Sequence, residues 1–552
     1  MDMLPKLRDR LNGKIDKTLR VSKEDKALFR HLACLFNGAE IDYIKRVLAD
    51  SDLNVDAGLK NLLDKSLIHV RGHTVGMHCL VQEMGKEVVR SQSNEPGERV
   101  FLLDSKDVCD VLEDNTGTKK VLGISLDMSG IDELHIHKRA FEKMRNLYFL
   151  KVKQKRHKEV QWHIHKDFNY LPPKLKVVSW KGYPLRCLPY NFCPQHLVKL
   201  KVPNSNLKKL WDGVHPLTCL KRMDLSGSKN LKEIPDLSLA NNLEKLLLTG
   251  CSSLMAITSS IGNLHKHEES QNSYDERNQE SETMGRTTDL SGSEKLQEVP
   301  DLSLAINMEW MNLGGCSSLV ELPSSSIQNL KKLAYLSMED CTNLEVLPTD
   351  VNLESLDCLN FGGCSRLKMF PEISNTMYLL ILNRPAIEEV PRWIDTFNRL
   401  RCLRMKECKN LKRVPPFRPM RQLKEMDFSG WGDIHMNMTT ATENMKTGFP
   451  LKGRTFQVAG ISMNMTTATE NMKTAPAPVE KADDDEEAKE EGYDENQKFD
   501  DLERNDTGLF ANDVYDEDDK EADAIWESID QMMDSSRHHG RKLSFRANCC
   551  GS

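Results

Sequence analysis

The chain has 552 residues and a formal net charge of −7, long enough for several domains. The charge is uneven: residues 480–534 carry 24 Asp and Glu against 5 Lys and Arg, whereas residues 1–479 carry a net +8. There is no run of 18 apolar residues, and Asp2 and Lys6 follow Met1 closely, so neither a membrane span nor a secretory leader is expected.

Residues 1–90 are predicted to form a compact helical domain. Apolar residues recur at helical spacing in four stretches, at 27–36, 41–48, 59–67 and 77–89. A short strand is expected at Ser66–Val70, between the third stretch and the fourth. Helices closing on a β-wing describe a winged-helix module.

A repeating apolar frame follows a connector at residues 91–135, in which one strand is expected at Val121–Met128. Within residues 136–431 the phrase L-x-x-L-x-L-x-x-C recurs with a period of 22 to 25 residues, most clearly around Cys341, Cys364 and Cys408. This is the signature of leucine-rich repeats, whose stacked units form a curved solenoid. The predicted fold is therefore an α/β leucine-rich-repeat solenoid preceded by an α-helical winged-helix domain. Cysteine at the turn position favours reduced thiols inside a cell over disulfides.

Three segments depart from this pattern. Residues 265–288 are polar and lie between two similar phrases, Asp224–Ile257 and Asp289–Leu322, so they are predicted to be a disordered insert. Residues 432–474 are a linker in which the phrase MNMTTATENMKT occurs twice, and no fold is assigned to it. Residues 475–552 are predicted to form a disordered acidic tail.

The concave face of the solenoid is the candidate binding surface. Side chains alternate along a strand, so the residues beside the central leucine of each repeat face outward. They are basic in the early repeats, and two aromatic residues are expected to be exposed in the middle ones. The candidate partner-binding residues are Lys151, Lys181, Lys199, Lys201, Arg222, Lys245, Trp310 and Tyr335. The alternative is that these lysines are ordinary hydrated surface residues that bind no partner. No motif of a nucleic-acid reader is present, so a protein partner is favoured over nucleic acid.

Three long phrases in the first 430 residues are typical of one family. ALFRHLACLFNGAEIDYIKRVL matches its winged-helix subdomain, VFLLDSKDVCDVLEDNTGTKKVLGISLDMS its linker, and HLVKLKVPNSNLKKLWDGV its first repeat. With these phrases the chain resembles plant immune receptors of the TIR–nucleotide-binding–leucine-rich-repeat family. The resemblance implies a role in defence signalling, because the family's repeats hold the nucleotide-binding module closed and recognise pathogen effectors or guarded host proteins.

Two elements of that family are not found in these 552 residues: the TIR domain and the phosphate-binding loop G-x-x-x-x-G-K-[ST]. The chain therefore reads as a truncated receptor. Met77 and His78 stand where the family keeps a Met-His-Asp motif that senses ADP, while the third position is Cys79. The resemblance marks Met77 and His78 as cofactor-binding positions, but without the glycine-rich loop they are expected to be vestigial and the chain to bind no cofactor.

The phrase from Gly492 to Arg537 resembles the acidic N-terminal segment of the splicing-factor family that bridges the tri-snRNP. This second resemblance implies spliceosomal proteins as alternative partners of the tail.

No motif indicates catalysis, so no enzyme is predicted. The pairs His135/His137 and His163/His165 lack a third ligand at useful spacing, so no metal site is predicted either. The favoured function is a non-enzymatic recognition or regulatory protein of plant innate immunity, in the cytoplasm, the nucleus or both. Its expected partners are a pathogen effector, a guarded host protein or full-length immune receptors. The alternatives are a nuclear splicing-associated protein and a fusion remnant without function.

Overall fold

The computed structural model describes residues 22–49, 51–154, 160–263, 286–347, 353–369, 376–390, 396–412 and 425–429, with the single residues 351, 374, 394 and 423 and the strands Thr455–Val458 and Ile461–Asn464. The chain forms two compact units, of which the first, Met1–Pro450 with Thr455–Ser462, contains the N-terminal domain and the repeats. The predicted acidic tail at 475–552 lies outside the described residues. In the predicted linker, 432–474, only the two strands are described.

The N-terminal domain is a winged helix, as predicted. Its helices are α1 (Lys23–His31), α2 (Ile41–Leu48), α3 (Val55–Asp64) and α4 (Cys79–Arg90). Ser22 begins α1, because its side chain accepts a hydrogen bond from the amide of Asp25 at 3.0 Å. A π-helical turn at Leu32–Phe36 extends α1. The wing is an antiparallel sheet in the order β1-β3-β2, built from β1 (Ala39–Glu40), β2 (His69–Arg71) and β3 (Thr74–Gly76).

The π-helical turn packs closely on α4 because Gly85 has no side chain. A Cβ atom added at Gly85 would lie 2.4 Å from the Cβ of Ala33. In addition, the side-chain amide of Gln82 donates a hydrogen bond to the carbonyl of Ala33 at 3.2 Å. Both contacts fix the position of the turn, whose residues reach the repeats.

The parallel sheet begins inside the region interpreted as a connector. Strands β4 (Phe101–Leu102) and β5 (Gly123–Asp127) are its first members, with helix α5 (Ser105–Asp114) between them. The second strand lies within the stretch predicted at Val121–Met128. Asp104 begins α5, since its carboxylate accepts hydrogen bonds from the amides of Lys106 and Asp107.

The remaining repeats each add one short parallel strand to the sheet. The strands are β7 (Phe149–Lys153), β9 (Val177–Trp180), β10 (Lys199–Lys201), β11 (Arg222–Asp224), β12 (Lys245–Leu247), β13 (Arg286–Asp289), β14 (Met308–Asn312), β15 (Tyr335–Ser337), β16 (Cys358–Asn360), β17 (Leu379–Ile381), β18 (Cys402–Arg404), β19 (Glu425–Phe428) and β20 (Thr455–Val458). Two further strands, β6 (Glu133–Ile136) and β8 (Gln161–Ile164), form a separate parallel pair. The short helix α6 is Ser324–Ile327, and β21 is Ile461–Asn464.

From β7 to β18 the central residue of each repeat strand is buried in register with its neighbours. Leu336 pairs with Leu359, and both are 0% exposed, as the L-x-x-L-x-L frame predicts. Burying such a leucine stabilises the fold by about 2–3 kcal/mol through the hydrophobic effect. One repeat is unusual: Thr288 takes the central position between Leu246 and Met311 and is also 0% exposed.

Thr288 also corrects the predicted insert at 265–288. Strand β13 begins at Arg286, so the last three residues of that range belong to the sheet. The polar sequence Arg286-Thr-Thr gives no apolar pattern that would predict a strand. It forms one because β-branched threonine suits extended backbone and the repeats on both sides fix the register. The rest of the insert, residues 265–285, lies outside the described residues.

Buried cysteines join successive repeats. The thiols of Cys251, Cys316, Cys341, Cys364 and Cys408 each donate to a backbone carbonyl 26 or 28 residues earlier, at Sγ–O distances of 3.1–3.4 Å. Burial raises the pKa of the Cys341 thiol to about 12, so it stays protonated and keeps its donor. Cysteine therefore supplies a small buried side chain whose thiol adds a hydrogen bond to a carbonyl of the preceding repeat, and most of these carbonyls also accept a backbone amide.

Candidate recognition surface

The outward residues of the strands form a first row along the concave face. Parallel registers pair each of its members with the next, from Phe149 on β7 to Glu425 on β19. The row reads Phe149, Val177, Lys199, Arg222, Lys245, Thr287, Trp310, Tyr335, Cys358, Leu379, Cys402 and Glu425. Adjacent parallel strands lie about 4.8 Å apart, so neighbouring side chains touch.

The winged-helix domain covers the beginning of this row. Phe149 is 1% exposed, and its ring meets that of Phe36 edge to face with centroids 5.4 Å apart. His31 packs edge to face on Phe101 at 5.0 Å and on Phe149 at 6.1 Å. One apolar cluster therefore contains the winged-helix core together with Phe101, Phe149, Val177 and Val198 of the repeats.

Lysines that were predicted to meet a separate partner instead contact the winged helix. The ammonium of Lys151 donates to the carbonyl of Leu35 at 2.7 Å and lies 5.4 Å from the ring centroid of Phe36. That of Lys199 lies 5.6 Å from the centroid of Tyr43. Lys151 and Lys199 are thus half-buried and engaged by the winged helix, which the sequence does not show, while their role in binding a partner stays a prediction.

The other basic candidates differ in burial. Lys201 is only 8% exposed, packed in register between Ser179 and Asp224, which contradicts its predicted exposure. Lys181, Arg222 and Lys245 are half-buried. Beside this stretch, Glu244 binds Arg46 of α2 at 3.4 Å and Lys221 at 2.8 Å. The winged helix thus reaches as far as Glu244, directly before β12, and contacts Lys151 and Lys199 of the basic candidates.

An apolar row begins where that contact ends. It consists of Trp310, Tyr335, Cys358, Leu379 and Cys402, which are direct neighbours on β14 to β18. At about 4.8 Å per strand, it spans roughly 19 Å. Tyr335, Cys358 and Leu379 are half-buried, whereas Cys402 is buried. The apolar row ends at β19, where the next residue in register is the charged Glu425, which forms an ion pair with Arg404 of β18 at 3.0 Å.

The two predicted aromatic residues lie at one end of the apolar row. Their rings stack with centroids 4.9 Å apart and planes 8° from parallel. Trp310 is only 5% exposed, so the prediction that it is exposed is wrong, while Tyr335 keeps a partly accessible ring. Each aromatic ring covers the other, which the sequence pattern alone does not indicate.

The two thiols in the apolar row have low reactivity. Burial raises the pKa of Cys358 and of Cys402 to about 12. Both therefore stay protonated near neutral pH and act as small apolar groups rather than nucleophiles. The same cause, burial, raises the pKa of the Tyr335 phenol. The row thus offers shape and apolar area, with no reactive group.

Sequence reasoning missed Leu379 and Cys402 as outward residues. The repeat around Leu379 begins with Met377 in place of the first leucine, so Met377-x-x-Leu380-x-Leu382 is easily passed over. The strand is recognised when methionine is accepted at the first leucine position of the repeat. Cys402 lies beside Leu403 in a repeat whose frame is clear, but a cysteine draws attention to the turn and not to the surface.

The family's nucleotide-sensing positions have structural roles in this chain. His78 is exposed and begins α4: its Nδ1 accepts a hydrogen bond from the amide of Leu80 at 3.3 Å. Met77 is 6% exposed, with its side chain in the domain core, and its amide donates to the Asn37 side chain at 2.8 Å. Of the two, only the His78 ring is accessible to a ligand.

Two further features of the described residues bear on function. Glu133, His135 and His163 bring together side-chain donor atoms within 4.8 Å of one another, in a group that could hold a metal ion. None of the helices in the described part of the chain has the length and apolar character needed to span a bilayer.

Comparison with known protein families gives three matches. Residues 22–93 match the winged-helix domain of Roq1-like disease resistance proteins, and residues 196–214 match a leucine-rich repeat. Residues 455–549 match the N-terminal region of the PRP1 splicing factor. The two resemblances found from the sequence phrases are thus confirmed.

Curated relatives from Arabidopsis thaliana match most of the chain. Disease resistance protein RPS6 is 45% identical over 485 residues, covering 78% of this chain and 43% of RPS6. Disease resistance protein RPP4 is 35% identical over 541 residues, covering 77% of this chain and 47% of RPP4. This chain thus spans less than half the length of these relatives. A solved leucine-rich-repeat protein of Leptospira interrogans covers 60% of this chain and 89% of its own at 13% identity, with a TM-score of only 0.21.

The winged helix and the repeat sheet define a leucine-rich-repeat protein of the plant disease-resistance class. Over its winged-helix and repeat regions, the chain belongs with the TIR–nucleotide-binding–leucine-rich-repeat disease resistance proteins, of which RPS6 and RPP4 are examples.

Proposed function

We propose that this chain is a non-enzymatic recognition protein of plant innate immunity whose repeats bind a protein partner through the apolar row. The observation that carries the proposal is the unbroken register of Trp310, Tyr335, Cys358, Leu379 and Cys402 on five neighbouring strands. Tyrosine and tryptophan are enriched among the few central residues that supply most of the binding energy of an interface, and burial of apolar neighbours adds to it.

The position of the winged helix restricts where a partner binds. It occupies the start of the concave face, where Phe149 and Lys151 contact Phe36 and Leu35. A partner therefore meets the later repeats, with Tyr335 and Leu379 as its central contacts. Candidate partners are a pathogen effector, a guarded host protein or a full-length immune receptor, in the cytoplasm or the nucleus. We infer no cofactor, because His78 caps α4 and Met77 is buried.

Proximity labelling in leaf tissue tests the proposal with matched variants of the full chain. Leu379→Asp places a charge in the apolar row and is expected to remove a defined set of labelled proteins. Met369→Asp makes the same kind of change at a side chain that is 56% exposed outside the row, and is expected to leave the set unchanged. Identical sets for the wild type and both variants would rule out the apolar row as the binding surface.

A second candidate function rests on the match of residues 455–549 to the PRP1 N-terminal region. It is a nuclear, splicing-associated role in which the acidic tail binds spliceosomal proteins. The same experiment separates the two: deletion of residues 480–534 is expected to remove snRNP proteins if the tail is the binding element. Loss of immune receptors or their chaperones with Leu379→Asp, and not with the tail deletion, favours the first function.

A further inference from the structure

Strands β6 and β8 display a group of donor atoms on the surface of the repeats. Their parallel register sets Glu133 beside Gln161 and His135 beside His163. Leu134 is 2% exposed and belongs to the repeat core, so the alternate residues of β6 point away from it. Glu133, His135 and His163 therefore share one outer face, separate from the concave strands and from the winged helix.

The three side chains converge on one point. Oε2 of Glu133 lies 3.5 Å from Nε2 of His163 and 3.9 Å from Nε2 of His135. The two imidazole rings stack with centroids 4.3 Å apart and planes 12° from parallel. Both rings thus turn the same nitrogen toward the same carboxylate oxygen.

These separations fit a small metal ion. Zinc binds imidazole nitrogen and carboxylate oxygen at about 2.0–2.2 Å in a tetrahedron, which puts ligand atoms about 3.3–3.6 Å apart. The observed distances of 3.5 and 3.9 Å lie close to this range, and all the donor atoms lie within 4.8 Å of one another. Because the two rings are stacked, they must tilt toward each other for both nitrogens to point at one ion. Imidazole donors favour zinc and its transition-metal neighbours over magnesium and calcium, which prefer oxygen alone.

We propose that Glu133, His135 and His163 form a zinc-binding site on the outer face of the repeats. The donors come from two strands that are 28 residues apart in sequence, so a bound ion joins β6 to β8. The side chains of Glu133, His135 and His163 are 62%, 46% and 44% exposed, which leaves the fourth position of the tetrahedron open to solvent. Water fills that position, or a donor group from another molecule does.

The neighbouring histidines are not part of the site. Nδ1 of His137 accepts a hydrogen bond from the amide of Arg139 at 3.1 Å, and Nδ1 of His165 accepts one from the amide of Asp167 at 3.2 Å. Each of these rings is held by the turn that follows its own strand. The proposal therefore assigns three protein ligands, one from each of Glu133, His135 and His163.

The test is calorimetric titration of the full chain with zinc chloride, in competition with a chelator of known affinity. Substitution of a ligand is expected to weaken zinc binding at least about tenfold, since even indirect disturbance of a zinc site costs that much. Glu133→Gln keeps the shape of the side chain and removes its charge, and His163→Asn removes one nitrogen ligand. All three residues are exposed, so the circular dichroism spectrum of each variant is expected to match that of the wild type.

Two controls exclude zinc bound elsewhere. His196→Asn changes another exposed histidine and is expected to leave the affinity unchanged. Because Cys79, Cys187 and Cys219 are exposed, cobalt is used as a spectroscopic substitute that reveals thiolate ligands by an intense charge-transfer band. The proposal expects one equivalent of cobalt without that band. Equal zinc affinity in His163→Asn and the wild type, or a thiolate band for the tightest equivalent, would overturn it.

Discussion

Replacing Phe149 by alanine is expected to release the winged helix from the repeats while the repeat core stays folded. Phe149 is 1% exposed, yet it lies on the concave side of β7, where its ring contacts Phe36 and His31. It belongs to the apolar cluster of the winged helix and not to that of the repeat core. Loss of a buried phenylalanine costs about 3–5 kcal/mol. We expect this loss of free energy to weaken the contact between the winged helix and the repeats.

The effect is measured by hydrogen exchange of the amides of α1. At about 1.4 kcal/mol per factor of ten, a loss of 3–5 kcal/mol accelerates exchange through opening of this region by about 10² to about 4 × 10³. Amides of β15 and β16 are expected to keep their wild-type rates. The control is Cys358→Ala, at the same position of the first row but far along it, which is expected to leave α1 unchanged.

Two outcomes would refute this reasoning. If α1 keeps its wild-type exchange in Phe149→Ala, the contact between the domains contributes little to the stability of the winged helix. If instead the amides of β15 and β16 exchange faster to the same extent as those of α1, the two domains unfold as one unit. Phe149 would then stabilise both domains together and not only the contact between the winged helix and the early repeats.

Three further outcomes are expected. Leu336→Ala, at a position that is 0% exposed, is expected to lower the free energy of unfolding in urea by about 2–5 kcal/mol; a loss below 1 kcal/mol would contradict the assigned register. Burial lowers the pKa of His31, so the unfolded chain binds a proton that the folded chain does not, and stability is expected to fall as pH drops below about 6.5; His31→Gln removes this slope, and a slope that persists in the variant would assign it to other groups. Alkylation of the native protein, read by mass spectrometry, is expected to modify exposed Cys79 long before buried Cys341, and equal rates would contradict the buried thiol.

The sequence predicts the repeats well because their physics is local and periodic. The frame around Leu336 and Leu359 needs only the spacing of apolar residues, and both are buried as expected. Thr288 shows the limit, since no apolar letter marks its strand and only the neighbouring repeats define it.

The surface could be predicted only in part, because it depends on contacts between distant segments. Nothing near Lys151 in sequence indicates that Leu35 accepts its hydrogen bond, 116 residues away. The zinc-binding group is a similar case. Glu133-x-His135 is visible as a pattern, but His163 joins it only through the register of β6 with β8. Aligning the two His-x-His phrases as neighbouring strands would have suggested it.

The apolar cluster shared by the winged helix and the first repeats has a consequence for how these proteins can be divided. Phe101, Phe149, Val177 and Val198 are the repeats' half of a single core, so a fragment starting after residue 90 would present these four side chains to water. Such a fragment would be prone to self-association, and its behaviour would say little about the native repeats. The same constraint applies to recombination between related genes: a breakpoint that separates the winged helix from its own first repeats would have to preserve both surfaces at once.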